Sequence, residues 1–105
     1  MAQFSLYHNL NPASKNIYPY LLDVQSTLLS SLETRLVIPV ATKKRFGREL
    51  IKNLNPIIKY ESKEYIVLTQ QMAAIPNKSI GSVVCDCLSI RQDVISAIDF
   101  LITGI

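Results

Sequence analysis

The chain has 105 residues, of which 49% are hydrophobic and 18% charged, and a formal net charge of +3. That length suffices for one core and is too short for two, so residues 1–105 are expected to form a single domain. A charged fraction below the ~25% of ordinary soluble domains suggests an apolar partner surface, such as a second copy of the chain.

In chain order, residues 3–8, Gln-Phe-Ser-Leu-Tyr-His, alternate polar with apolar and predict a half-buried strand. Residues 9–16 are dense in turn formers and predict an exposed, mobile loop. A second strand is expected over Tyr18 to Val24 and a third over Arg35 to Ala41, with Pro39 placing the third at an edge or a bulge. Between them, residues 25–32 form a linker that displays several leucines. Ile57 to Tyr60 and Glu64 to Thr69 predict a hairpin around Glu61-Ser62-Lys63, and Gln71 to Ile75 a further strand before Pro76-Asn77-Lys78. Five or more short strands joined by turns predict a small, strongly bent antiparallel sheet or barrel. Ser89 followed by Gln92 has the spacing of a capping box and predicts a helix start. At 100° per residue, Ile90, Val94, Ile95, Ile98, Leu101, Ile102 and Ile105 fall within an arc of about 140°, which should pack on the sheet. Asp93, Ser96, Asp99, Phe100 and Thr103 fall outside it, leaving Phe100 on the polar side.

The positive charge is concentrated. Lys43, Lys44, Arg45, Arg48 and Lys52, opposed only by Glu49, carry more than the whole net charge of +3, so the basicity belongs to one cluster. In an alternating run Val83, Cys85 and Cys87 share a face, which favours two small, reduced, buried thiols. A mutual disulfide at that spacing is strained, and with no second Cys pair and one His a metal site is not expected. No cofactor motif is present. His8 reads as an exposed strand-end residue rather than a catalytic one. There is no phosphate-binding Gly-x-x-x-x-Gly-Lys loop, no Gly-x-Ser-x-Gly elbow and no His-Glu-x-x-His helix. Glu61 and Glu64 flank a turn, and Asp93 and Asp99 are too far apart on the helix to work as a pair, so a binding function is favoured over catalysis. No apolar run approaches the ~18 residues of a membrane span, and the opening Met1-Ala2-Gln3-Phe4-Ser5 lacks secretory-signal character, so a cytoplasmic protein without membrane contact is expected.

Several segments together resemble CcdB, the toxin of toxin–antitoxin modules that poisons DNA gyrase. They are Gln3-Phe4, Asp23-Val24-Gln25-Ser26, Arg35-x-Val37-Ile38-Pro39-x-Ala41, Leu54-x-Pro56, Met72-Ala73-x-x-Pro76, Ile80-Gly81, Ala97-Ile98 and Gly104-Ile105, in family order nearly end to end. The resemblance implies a mainly β (α+β) fold: an SH3-like barrel of antiparallel strands with a small extra sheet and a C-terminal helix, assembled as a homodimer. It also implies a non-enzymatic poison that binds the gyrase A subunit and traps it on cleaved DNA. A CcdA-like antitoxin would neutralise it through a disordered C-terminal segment that folds on binding, and operator DNA would be reached only through the antitoxin complex. The family's gyrase-contacting region maps here to Ser26, Leu28 and Leu29 in the linker and to Asp99, Ile102, Thr103, Gly104 and Ile105 at the helix end. The helical reading points Asp99 and Thr103 outward and turns Ile102 and Ile105 toward the core arc.

One departure affects that region. The family pattern carries a Trp immediately before Gly-Ile, which stacks on an arginine of gyrase; here the position is Thr103 and the chain has no Trp. A lost cation–π contact is worth roughly 0.5–2 kcal/mol, so Phe100, or Leu28 and Leu29, is expected to supply substitute contact area. Two alternatives remain open from the sequence: a MazF-like or Kid-like ribonuclease toxin using His8 and the Lys43 to Lys52 cluster, and a non-toxic homologue that only binds antitoxin.

Overall fold

The computed structural model describes residues 2–104. Among the described residues there are seven strands: β1 (Ser5–Asn9), β2 (Tyr20–Asp23), β3 (Thr34–Thr42), β4 (Ile57–Tyr60), β5 (Lys63–Val67), β6 (Ala73–Pro76) and β7 (Ile80–Asp86). A single helical turn, α1 (Lys43–Phe46), follows β3, and the longer α2 (Arg91–Thr103) closes the chain. All strand pairings are antiparallel, in the order β4-β5-β3-β2-β1-β7, with β6 also on β3. The sheet curls into a half-barrel with the helix at its C-terminal end, the mainly β, SH3-like architecture expected.

β3 organises the sheet by changing partners along its length. Residues 34–37 pair with β6 and residues 40–42 with β5, while residues 37–40 pair with β2 on the other flank. Pro39 is therefore central, not on an edge or at a bulge as its residue type predicts. Its carbonyl accepts from the Leu68 N–H at 3.0 Å, and in a strand the N–H and C=O of one residue point to the same flank. Its missing N–H thus falls in the gap where β6 pairing has ended and β5 pairing has not begun.

β1 also differs from its half-buried expectation. It lies between β2 and β7, with Leu6 packed in the main core among Leu22, Ile38, Val40 and Val94, and Tyr7 in a second core with Leu21, Val37 and Ile80. Both faces are covered. Gln3 and Phe4 form a turn ahead of the strand, Phe4 adopting a positive φ of 63° that buries its ring. Asn9 belongs to the strand rather than the loop: it is buried, and its side chain bonds Ser14 Oγ, the Tyr18 carbonyl and the Asn11 N–H. The exposed loop is thus folded around one asparagine. The hairpin forms at the predicted place with a two-residue turn, Glu61 and Ser62 both at positive φ (49° and 66°), the type I′ geometry whose twist matches the flanking strands.

β7 carries register irregularities between the positions facing Leu6, Tyr7 and Asn9. These shifts break simple alternation, so Val83 is exposed and does not share the face of Cys85 and Cys87. Cys85 is half-buried, Cys87 is buried, and both are free thiols. The capping box is likewise absent. The chain enters α2 through a 3₁₀ turn, Leu88–Ile90, whose first N–H is taken by Asp86 Oδ1. Ser89 lies inside that turn, no side chain caps α2, and Gln92 reaches forward to Ser96.

The packed face of α2 is shorter than the 140° arc. Val94 and Ala97 are fully buried, and Ile90, Ile95 and Ile98 are partly buried against the core. Leu101 and Ile102 are exposed, contrary to the core assignment: the helix packs on the main core through Val94, Ile95 and Ile98, and neither of the two later residues joins that cluster. Ile105 lies outside the described residues.

Candidate functional site

The Asp23-Val24-Gln25-Ser26 segment shapes a surface rather than providing one. Asp23 is fully buried, and its carboxylate accepts from Arg35 Nη2 at 2.5 Å and from the Gln25 N–H at 3.0 Å. The buried Gln25 amide ties the following turn to β3, donating to the Leu29 carbonyl at 2.9 Å and accepting from the Leu36 N–H at 3.0 Å. Ser26 Oγ then accepts from the Leu28 N–H, capping a 3₁₀ turn over Thr27–Leu29. Side-chain acceptors that imitate backbone partners are what serine and aspartate offer at turns. The turn, fixed at both ends, presents Leu28 at 92% exposure, with Leu29 and Leu32 also exposed. Of the predicted residues here, Ser26 is half-buried and caps the turn, and Leu28 and Leu29 are exposed.

The second patch is the end of α2. Gly104 sits in the left-handed region at φ 76° and donates its N–H to the Phe100 carbonyl, a helix termination that glycine permits at least cost. The Thr103 hydroxyl donates to the Asp99 carbonyl at 2.7 Å, so its polar atom turns back onto the helix. Asp99 is exposed and Ile102 is 72% exposed. Phe100 is not freely solvated as its helical phase predicts. It is half-buried along an open groove of about 400 Å³, together with Asn53, Asn55, Pro56, Asp93 and Ser96. Asn55 holds that wall: it is buried, receives the Ile51 N–H, and donates to the Val67 carbonyl and Gln70 Oε1. The apolar exposure of this patch therefore falls on Leu101 and Ile102.

The other candidates have structural surroundings. His8 is exposed, with its ring edge-on to Tyr20 at 5.6 Å. Tyr20 belongs to a cluster with Tyr60 and Tyr65; burial, aided by a hydrogen bond with Tyr65, pushes its hydroxyl pKa up to about 12. The basic residues of α1 sit on a turn capped by Thr42 and anchored by Phe46 stacked on Tyr18, and Lys43 pairs loosely with Glu64 at 3.4 Å in solvent. Such a pair contributes ~0–1 kcal/mol. Among the described residues, no group of three or more His, Cys, Asp or Glu is arranged to hold a metal ion, and no helix is long and apolar enough to cross a membrane.

The family described as CcdB protein matches residues 3–104. The chain belongs to the CcdB family. It is a toxin of the toxin–antitoxin type, and the match spans both the turn and the helix end. For a CcdB-family toxin, sequence reasoning missed three contributors. The motif spacing contains Gln25 and Arg35 but does not give their bonding, and helical phase places Leu101 in the core. A glutamine and an arginine beside strand ends in a chain with few charges were the available signal that a buried polar network was being built.

Proposed function

We propose that this CcdB-family toxin is a homodimer that binds the A subunit of DNA gyrase, without enzymatic activity of its own, and traps gyrase while it is covalently attached to cleaved DNA. Replication and transcription are then blocked by double-strand breaks. A CcdA-like antitoxin with a disordered C-terminal segment neutralises the toxin in the cytoplasm, and operator DNA is met only through that complex. The gyrase-binding residues are Ser26, Leu28 and Leu29 with Asp99, Phe100, Ile102, Thr103, Gly104 and Ile105.

The observation that carries this reading is the exposed leucine turn. Leu28 projects from a backbone already fixed by Gln25 and Ser26, so docking it costs little ordering entropy. Full burial of a leucine is worth roughly 1.5–3 kcal/mol, which offsets the roughly 0.5–2 kcal/mol lost with the family's tryptophan. Ile102 supplies a second apolar anchor from the helix end, and the half-buried Phe100 a smaller share. The test is a supercoiled-plasmid cleavage assay with purified gyrase. The toxin is expected to produce gyrase-dependent linear DNA, and a Leu28→Asp, Ile102→Asp protein with an unchanged fold should not. Cleavage unaffected by both substitutions, or RNA cleavage without gyrase, would refute the proposal.

A further inference from the structure

We propose that Cys85 and Cys87 form a chelate for a thiophilic, low-coordinate monovalent cation, with Cu(I) as its representative. Cys85 lies in β7 and Cys87 just past its end, and their sulfurs, both free thiols, are 4.0 Å apart. Metal–sulfur bonds of about 2.3 Å, the zinc–thiolate length, would span that separation at an S–metal–S angle of roughly 120°. The chain therefore already holds its sulfurs at bridging distance.

A disulfide fits less well. Residues two apart on a strand have Cα atoms about 6.6 Å apart, near the upper end of the ~4.4–6.8 Å seen in disulfides, and the sulfurs would have to close to about 2.05 Å. The ion's class follows from the donor set. Among the described residues no third His, Cys, Asp or Glu joins the pair, which excludes a four-ligand structural zinc site and oxygen-loving divalent ions. Two thiolates and a low coordination number suit Cu(I).

Half-buried Cys85 gives access from solvent, while Cys87, 4% exposed, is sealed within the core cluster of Phe4, Leu6 and Val94. Binding replaces two thiol protons: Cu⁺ adds to both sulfurs, two H⁺ leave, and the site gains one net negative charge. The Phe4 carbonyl accepts the Cys87 N–H at 2.8 Å, which fixes the backbone that carries the second sulfur. Loading would tie the end of β7 at the residue where the chain turns into α2.

The experiment titrates the intact protein anaerobically with Cu(I) against bicinchoninate as a chromogenic competitor, with X-ray absorption at the copper edge of the loaded sample. One Cu(I) retained per chain with two sulfur neighbours is expected. Cys85→Ser, which alters a half-buried side chain, should keep the melting profile and lose at least tenfold in retention; Cys87→Ala should do the same if it folds. Equal retention by wild type and Cys85→Ser, complete loss of copper from the wild type to the chelator, or a copper shell of nitrogen and oxygen would each overturn the proposal.

Discussion

Replacing Asp23 by alanine tests the polar centre beneath the leucine turn. Asp23 and Arg35 have side chains 0% and 2% exposed and meet at 2.5 Å, and Arg35 Nε has no partner of its own. Asp23→Ala leaves a guanidinium buried without its carboxylate, for which a cost of about 3–5 kcal/mol is expected. Against a total stability of about 5–15 kcal/mol, that is a large share. With a urea m-value near ~2 kcal/mol per M, the midpoint should fall by about 2 M. A double variant, Asp23→Leu with Arg35→Met, removes both charges and keeps volume, and such swaps are often neutral. It cannot restore the acceptor for the Gln25 N–H, whose burial without a partner costs about 1–3 kcal/mol. The double variant should therefore regain most, but not all, of the lost stability, and cleave plasmid less well with gyrase because the Gln25 backbone at the base of the turn has lost its acceptor. Urea unfolding by circular dichroism beside the plasmid assay separates the two effects. A single variant losing less than ~1 kcal/mol, or a double variant no more stable than the single, would refute the reasoning.

Four further outcomes are expected. Leu28→Asp should change stability by less than ~0.5 kcal/mol, as surface substitutions do, while abolishing gyrase-dependent cleavage; thermal melting and the plasmid assay read the two. Gly104→Ala should cost about 1–2 kcal/mol at the helix end, because its φ of 76° strains any side chain although nothing lies within 4 Å of an added Cβ; amide exchange over residues 100–104 would report the fraying. Phe100→Ala should cost about 2 kcal/mol of stability, roughly half the ~4 typical of a fully buried ring, and weaken gyrase binding less than Ile102→Asp; a larger binding loss than for Ile102→Asp would reverse their ranking. Burial, reinforced by Cys85, holds the Cys87 thiol up at about 12 against an ordinary value of 9.0. Because the folded pKa is raised, this contribution is complete below pH 9 and is lost as pH rises toward 12; Cys87→Ala should flatten the fall in urea midpoint between pH 9 and 10.

Local chemistry was legible wherever it acted alone. The hairpin at Glu61-Ser62, the leucines displayed between residues 25 and 32 and the start of the helical period near residue 90 all follow from short-range patterns. Misreadings arose where a distant element decided the outcome. Pro39 looks like an edge residue until β5 and β6 are seen to share one flank of β3. Ser89 and Gln92 have capping-box spacing, but Asp86 takes the first free N–H of the entering turn. Leu101 and Ile102 match the core phase of the helix, yet they are exposed and lie outside the core cluster. Phe100 faces away from that phase and still finds a wall, supplied by residues 53–56. Helical phase gives direction but not how far a neighbouring surface extends.

In the leucine turn, the side chains that set its shape are not the ones it exposes most. Asp23, Gln25, Ser26 and Arg35 hold the backbone, and Leu28 and Leu29 contribute nothing to that bonding through their side chains. Selection can then vary two solvent-facing positions at little cost in folding, whereas a change at the four supporting residues is filtered first by whether the chain folds at all.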